Sequence, residues 1–220
     1  MIIRICPSIL NANLDDLPGE IEKVAATADL IHLDVMDNVF VPNFTFSPER
    51  TREIIEASTL PIDVHLMVAD VDKKVEQYSS KNAISMTVHF EACQDPLATL
   101  KQIRTLGKRA GLAIKPNTPI EVVEELLPEI DMIVVMTVEP GFGGQSFMAS
   151  LMPKVEKARR YLEQRGLQDV WIQIDGGISP STIEIARRAG ADTFVAGSAV
   201  YKSENPSKMV EQLRLLASRC

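Results

Sequence analysis

The sequence predicts an α/β fold: a single (β/α)8, or TIM, barrel in which residues 1–220 form one domain. A chain of 220 residues is long enough for such a barrel and short enough for one hydrophobic core. Short apolar, β-branched runs recur along the chain, and amphipathic helical patterns separate them. Most runs are continuous rather than alternating, which is typical of parallel strands buried on both faces. Eight strand–helix units in this length favour a barrel.

The predicted strands, in chain order, are residues 2–5, 30–34, 62–67, 85–89, 110–114, 132–138, 171–175 and 193–196. Apolar residues at helical spacing lie between them, most clearly in residues 14–28, 155–162 and 209–216. Three glycines follow helical stretches, where a left-handed residue commonly ends a helix: Gly107, Gly166 and Gly190. An open doubly wound sheet is the alternative, but the segment GFGGQSF lacks the third glycine of its dinucleotide-binding pattern.

Composition and charge argue against several classes of partner. Hydrophobic residues make up 45% of the chain and charged residues 24%, the balance of a folded globular domain. The net charge of −7 argues against nucleic acid or an anionic membrane as a partner. The apolar runs are also shorter than the roughly 18–20 residues of a membrane span. Cys6, Cys93 and Cys220 are too few and too scattered for a disulfide framework, so we expect a cytoplasmic protein with free thiols.

Ionisable side chains occur late in three of the predicted strands. His32 and Asp34 lie two apart in LIHLDVMD, so both face one side of strand 2, while His65 and Asp175 lie in strands 3 and 7. Each could be a hydrogen-bonded structural residue or a turn residue taken alone. A buried carboxylate is costly unless it is paired or bound to a metal, so the four together favour a metal site. Their mixed nitrogen and oxygen donors suit one divalent ion: Zn, Fe(II), Mn or Co.

Glycine-rich turns follow the last three strands, in EPGFGGQSF, DGGIS and AGSAV. Glycine lets backbone N–H groups approach an anion, and barrels commonly bind phosphate after strands 7 and 8, so we expect a phosphate site there rather than simple turns. Ser8 ends strand 1 and could hydrogen-bond a sugar or cap a turn. His89 is either structural or pocket-lining. Three methionines at strand ends are either core filler or an apolar lid: Met36, Met67 and Met136.

The chain resembles the ribulose-phosphate 3-epimerase family from end to end. The resemblance is carried by CPSIL at 6–10, IHLDVMD with VPN at 31–43, DVHLMV at 63–68, VMTVEPGFGGQ at 135–145, IDGGI at 174–178 and AGSAVY at 196–201. It implies a barrel enzyme of carbohydrate metabolism, an isomerase of the pentose phosphate pathway that interconverts D-ribulose 5-phosphate and D-xylulose 5-phosphate. The order and spacing of these motifs are highly specific.

The resemblance also implies roles for residues. His32, Asp34, His65 and Asp175 match the family's metal ligands, and Asp34 and Asp175 match its acid/base pair. Ser8 and His65 match positions that contact the substrate. The segments that hold the substrate and its phosphate correspond to Gly141, Phe142, Gly143, Gly144, Asp175, Gly176, Gly177, Gly197 and Ser198. The three methionines match those around the reacting carbon. The implied partner is a small phosphorylated ketose, and a homo-oligomer is compatible with the sequence.

The chain departs from the family pattern in the segment after strand 2. Asn38 replaces the usual glycine, but asparagine tolerates left-handed backbone, and FTFSP at 44–48 replaces the usual Gly-Pro ending. This segment bears on sugar preference, so a 3-epimerase of six-carbon D-allulose 6-phosphate is an alternative. A non-catalytic phosphosugar-binding barrel and a barrel enzyme of indole or tryptophan biosynthesis are others. The complete set of two histidines and two aspartates favours the epimerase over both.

Overall fold

The computed structural model describes residues 2–220. Within them, eight parallel strands form one sheet whose neighbours run in the order β1-β8-β7-β6-β5-β4-β3-β2. A parallel bridge between Ser8 and His32 joins the two ends of the sheet, so the barrel is nearly closed. The strands are β1 (Arg4–Pro7), β2 (Ile31–Met36), β3 (Ile62–Met67), β4 (Ala83–His89), β5 (Arg109–Ile114), β6 (Met132–Met136), β7 (Trp171–Asp175) and β8 (Thr193–Ala196). The predicted (β/α)8 barrel is confirmed, and the open sheet is excluded.

Five strands differ in extent from the prediction. Strand β4 begins two residues earlier, at Ala83, and β5 one residue earlier, at Arg109. Strand β1 begins at Arg4 and ends at Pro7, because its pairing with β8 starts where Arg4 meets Thr193. Strand β2 continues to Met36, whose partner in β3 is Met67. Strand β6 ends at Met136 rather than at residue 138, because the hydroxyl of Thr137 turns to donate to the Gly176 carbonyl at 2.6 Å.

The outer layer alternates α-helices with 3-10 segments. The α-helices are α1 (Leu17–Glu22), α2 (Pro48–Ala57), α3 (Pro96–Thr105), α4 (Met152–Gln164), α5 (Ile183–Arg188), α6 (Ser198–Tyr201) and α7 (Pro206–Ala217). The 3-10 segments are Ile9–Asn11, Leu14–Asp16, Val71–Lys73, Val75–Tyr78, Phe90–Ala92, Ile120–Glu129 and Ala149–Leu151. The long helix predicted over residues 14–28 is therefore wrong in extent, since only α1 is α-helical there.

Local sequence signals explain where the helices begin and end. Helices α2, α3 and α7 each start with proline, and the preceding Ser47, Asp95 or Asn205 accepts a hydrogen bond from a backbone N–H of the first turn. The predicted left-handed conformation of Gly107, Gly166 and Gly190 is confirmed, with φ of 73°, 69° and 108°. Across residues 2–220, every helix is too short or too polar to cross a lipid bilayer.

The strands bury two different surfaces. Residues such as Leu33, Val64 and Ile133 face outward and pack against the helical layer in the main hydrophobic core. The opposite face points into the barrel, where β5 and β6 contribute apolar residues, among them Ala113 and Val134. Strands β2, β3, β4 and β7 instead contribute buried polar side chains to the interior: His32, Asp34, Asp63, His65, Ser85, Thr87, His89 and Gln173.

A buried ion pair fastens helix α4 to the strand that carries the last glycine turn. The Arg159 guanidinium donates to the Asp192 carboxylate at 2.7 Å and to the Gly190 carbonyl at 2.8 and 3.0 Å. Asp192 also accepts from the backbone N–H of Ile172 and the hydroxyl of Thr193. The carboxylate therefore depends on a partner from the helical layer.

Replacing Arg159 by methionine should lower the free energy of unfolding by about 3 kcal/mol, because the buried Asp192 carboxylate loses its closest cation and keeps only the Arg4 guanidinium, 3.7 Å from its other oxygen. Urea unfolding followed by the fluorescence of Trp171, the only tryptophan, measures the change. Arg160→Met is the control, since Arg160 lies on the same helix and is exposed. Equal losses for the two variants would contradict the prediction.

Candidate active site

The four predicted metal ligands come from three strands and converge at one place in the barrel. His32 and Asp34 come from β2, His65 from β3 and Asp175 from β7, and each offers one nitrogen or oxygen within 4.8 Å of the others. His32 and His65 are fully buried. Asp34 and Asp175 lie closer to solvent, with side chains 6% and 14% exposed. The group therefore forms a pit with imidazoles at its floor and carboxylates at its rim.

The spacing of these donor atoms suits a shared cation. His65 Nδ1 lies 3.3 Å from Asp34 Oδ1 and 3.2 Å from Asp175 Oδ2. His32 Nε2 lies 3.3 Å from both Asp34 Oδ1 and His65 Nδ1, and 3.7 Å from Asp175 Oδ2. Tetrahedral bonds of about 2.0–2.2 Å place donors about 3.3–3.6 Å apart. The two histidines and two aspartates therefore fit one divalent ion.

Buried polar side chains outside the set of predicted ligands orient His32. Its Nδ1 donates to Asp63 Oδ2 at 2.8 Å, which leaves Nε2 free to act as a ligand. Asp63 is fully buried, and it also accepts from Ser85 Oγ at 2.6 Å and from Gln173 Nε2 at 2.8 Å. Each oxygen of this carboxylate therefore has a donor, as a charge without solvent requires.

The other histidine leads to a different chain of contacts. His65 Nε2 lies 2.9 Å from His89 Nε2, and His89 Nδ1 lies 3.3 Å from Glu91 Oε2. The two rings stack with centroids 5.0 Å apart. His89 thus lies directly behind His65 and not in the cleft.

Burial and neighbouring charges act in opposite directions on these groups. Burial alone lowers the pKa of His32, but Asp34 and Asp63 raise that pKa well above its ordinary value. Burial raises the pKa of Asp34, but His32 and His65 outweigh it and hold the pKa far below the ordinary value. Burial lowers the pKa of His89 to about 4. Asp34 is therefore ionised at neutral pH, and His89 is neutral.

A cleft opens above the cluster. The predicted site residues that line it are Ser8, Asp34, Met36, Met67, Met136, Gly141, Phe142, Gly143, Gly144, Asp175, Gly176, Gly177, Gly197 and Ser198. His65, predicted to touch the substrate, lies beneath this lining. Further lining residues that the sequence did not single out are Leu10, Asn11, Val138, Pro140, Gln145, Ile178 and Val195.

Close packing explains two of the glycines in the cleft wall. Gly177 has φ of 69°, and a Cβ atom there would lie 2.6 Å from the backbone nitrogen of Phe147. At Gly197, a Cβ atom would lie 2.5 Å from Oδ1 of Asn11. Asn11 follows the first strand on a 3-10 turn and had no sequence signal of its own. These close contacts hold the turn after β7 against the turn after β6, and the turn after β8 against the turn after β1.

The segment after β2 is tied to the opposite wall of the cleft. Asn38 adopts φ of 59°, as predicted for a residue standing in for glycine. Asn43 Nδ2 donates to the carbonyl of Gly141 at 2.9 Å, which joins this segment to the turn after β6. The hydroxyl of Thr45 bonds the carbonyl of Asp34 at 2.8 Å. The departure at Asn38 therefore preserves the turn.

Comparisons with known proteins agree with this geometry. The model of the ribulose-phosphate 3 epimerase family matches residues 4–201. The chain is 38% identical to a ribulose-phosphate 3-epimerase of Bacillus subtilis, over 97% of this chain and 99% of that protein. It is 42% identical to a protein of the same name from Mycobacterium leprae, over 96% and 93% of the two chains. Among solved structures, KGPDC from Streptococcus mutans aligns with a TM-score of 0.73 at 14% identity, covering 100% and 99%.

The family match and the named relatives, on a barrel with paired carboxylates in its cleft, identify an enzyme of the isomerase class, an epimerase built on an α/β barrel. The chain belongs to the ribulose-phosphate 3-epimerase family. The family catalyses an epimerisation of the pentose phosphate pathway. The solved structure from Streptococcus mutans supports the fold alone.

We expect the protein, purified without chelators, to carry one divalent ion per chain, because four donors fit a single cation. His65→Ala should lower the metal content by removing one of those donors. Elemental analysis by mass spectrometry measures both. Met67→Leu is the control, since Met67 lines the same cleft without offering a hard donor. A metal-free wild-type protein with full activity would be inconsistent with the site.

Proposed function

We propose that the chain interconverts D-ribulose 5-phosphate and D-xylulose 5-phosphate, with Asp34 and Asp175 as the two acid/base groups at C3. The observation that carries the proposal is the placement of these carboxylates. Both line the cleft, they come from β2 and β7, and each has an oxygen within 3.3 Å of Nδ1 of the buried His65. We also propose that residues 1–220 form one catalytic domain.

Inversion at a carbon beside a carbonyl needs two proton carriers. One group removes the C3 proton from one face, and another delivers a proton to the opposite face of the planar enediolate. A single base would return the proton to the face it came from. Asp34 is ionised and accepts a hydrogen bond from Ser8 Oγ at 2.6 Å, which leaves its other oxygen directed at the cluster. Asp175 at the end of β7 supplies the second carrier.

The residues proposed to hold the divalent ion are His32, Asp34, His65 and Asp175. Zn, Fe(II), Mn and Co all suit this donor set. When bound, such an ion stabilises negative charge on a substrate oxygen as a Lewis acid. The protein keeps Asp34 and Asp175 beside the reacting carbon, where orientation contributes much of the rate.

The glycine turns after β6, β7 and β8 form the proposed phosphate site. They face the cleft beside Ser198, and the cleft lining in residues 2–220 contains neither lysine nor arginine. Backbone N–H groups and the serine hydroxyl are therefore the donors proposed for the phosphate. Met36, Met67 and Met136 also line the cleft, and we propose that their side chains exclude water from the enediolate.

The remaining expectations stay proposals. Cys6, Cys93 and Cys220 are free thiols, which supports a location in the reducing cytoplasm. A net charge of −7 supports a small phosphorylated ketose, and not nucleic acid, as the partner. A homo-oligomer remains a prediction. D-allulose 6-phosphate as substrate, or phosphosugar binding without catalysis, are the alternatives.

A coupled assay separates these alternatives. We expect kcat/KM to be highest for D-ribulose 5-phosphate, lower for D-allulose 6-phosphate and very low for unphosphorylated ribulose. Loss of the phosphate removes binding energy that positions C3. Preference for the six-carbon sugar would overturn the substrate, and binding of ribulose 5-phosphate without turnover would overturn the enzyme activity.

Asp175→Asn should lower epimerisation by about two to four orders of magnitude, since it removes one of two proton carriers. Exchange of the C3 proton with deuterium from solvent should persist from the one epimer that Asp34 can still deprotonate. Mass spectrometry of each epimer after incubation in D2O measures the exchange, and metal content is determined on the same sample.

The matched control for this variant is Asp131→Asn. Asp131 precedes β6 at the opposite end of the barrel, where its carboxylate accepts from the backbone N–H of Ala110, and asparagine keeps an acceptor there. A metal-loaded Asp175→Asn protein as active as this control would show that the two-base assignment is wrong.

A further inference from the structure

His65 makes polar contacts through both ring nitrogens, although its side chain is fully buried. Nδ1 faces Asp34 and Asp175 at 3.3 and 3.2 Å, and Nε2 faces His89 at 2.9 Å. An imidazole binds a cation only through a nitrogen that carries no proton. Nδ1 is therefore available only when the proton of His65 lies on Nε2.

That requirement propagates along a chain of hydrogen bonds. With its proton on Nε2, His65 donates to His89 Nε2, which must then be an acceptor. A neutral His89 carries its own proton on Nδ1, which lies 3.3 Å from Glu91 Oε2. A carboxylate only accepts, so Glu91 selects this tautomer of His89. His89 in turn selects the tautomer of His65 that leaves Nδ1 free.

The carboxylate of Glu91, which ends this chain of hydrogen bonds, is rigidly held. Glu91 Oε1 accepts from the backbone N–H of Lys115 at 2.8 Å and from the hydroxyl of Thr118. Lys154 Nζ of α4 donates to three carbonyls of the same turn, those of Lys115, Pro116 and Thr118, at 3.1, 2.8 and 2.6 Å. Oε1 of Glu91 is therefore held by donors of the turn after β5, which leaves Oε2 directed at His89.

An aromatic ring packs over this chain of hydrogen bonds. The ring of Phe40, from the segment after β2, lies 4.9 Å from the His89 ring. Lys115 Nζ lies 3.9 Å from the centre of the Phe40 ring. His65, His89, Phe40 and Lys115 thus form a column from the metal-ligand cluster toward the surface. Because the column shields the His89 ring, water cannot easily substitute for either of its hydrogen bonds.

The two histidine ligands are consequently oriented by different devices. His32 donates directly to the Asp63 carboxylate, whereas His65 reaches the Glu91 carboxylate only through a second imidazole. We propose that His89 and Glu91 are positioning residues that hold His65 in the tautomer and orientation in which Nδ1 binds a divalent ion. The inference rests on the metal site of the proposed function and deepens it.

Glu91→Gln tests the direction in which protons are donated along this chain of hydrogen bonds. If the amide oxygen faces His89, the amide NH2 meets the N–H of Lys115, so two donors oppose each other. If the NH2 faces His89 instead, His89 must move its proton to Nε2 and oppose the donor of His65. Either arrangement should weaken Zn²⁺ binding by about 10- to 100-fold. Competition with a chromophoric chelator, using the full-length protein and Zn²⁺, measures the affinity.

The matched control is Glu129→Gln. The side chains of Glu91 and Glu129 are 22% and 29% exposed, and Glu129 pairs with Arg104 near the amino end of β6. This variant should bind Zn²⁺ within twofold of wild type. His89→Gln keeps an acceptor for His65 and should retain more affinity than His89→Phe, which leaves the Nε2 proton of His65 without an acceptor. Thermal unfolding of the metal-stripped proteins confirms that each variant folds.

Nuclear magnetic resonance of 15N-labelled histidines reads the tautomers directly, because the chain contains only three: His32, His65 and His89. In the Zn²⁺-loaded wild type we expect protons on Nδ1 of His32 and His89 and on Nε2 of His65. A proton on Nε2 of His89, or Zn²⁺ affinity of Glu91→Gln equal to that of Glu129→Gln, would overturn the inference while leaving the metal site intact. A wild type that binds no Zn²⁺ would overturn the proposed site as well.

Discussion

The structure depends on keeping carboxylates ionised where water cannot solvate them. Asp63 is fully buried and Asp34 almost so, and either charge would cost several kcal/mol without partners. Each oxygen of the two carboxylates accordingly has a polar partner. Asp63 receives His32, Ser85 and Gln173, and Asp34 receives Ser8 on one oxygen and faces the two imidazoles with the other. The positions of the histidines are thus set by buried carboxylates that need hydrogen-bond donors or cations beside them.

This constraint divides the barrel interior. The polar side chains come from β2, β3, β4 and β7, while β5 and β6 fill their side with Ala113, Met132 and Val134. The division continues into the cleft, where the carboxylates of Asp34 and Asp175 share the lining with the apolar side chains of Met136 and Val138. A substrate bound there as proposed would meet both charged and apolar surface. The chemistry of the cleft therefore follows from the packing below it.

Much of the fold and part of the site could be predicted from the sequence. Continuous apolar runs predicted all eight strands, and period two placed His32 with Asp34 on one face. Asp63 and Gln173 carry the same signal, two residues before His65 and Asp175, but choosing them required the register that sets His32 beside Asp63. Glu91 lies on a 3-10 turn with no periodicity, and the donors that hold it against His89 are 24 and 27 residues away. The roles that local sequence patterns did not reveal depend on pairing between residues far apart in the sequence.

The shared imidazole has a consequence for how the two proposed bases are arranged. His65 Nδ1 lies about equally far from an oxygen of Asp34 and an oxygen of Asp175, so both carboxylates act on the same ring. The ring therefore fixes the two carboxylates relative to each other, and a displacement of one side chain changes the surroundings of the other. The proposed two-base epimerisation depends on that fixed geometry, since one group must meet C3 on one face while the other meets it on the opposite face.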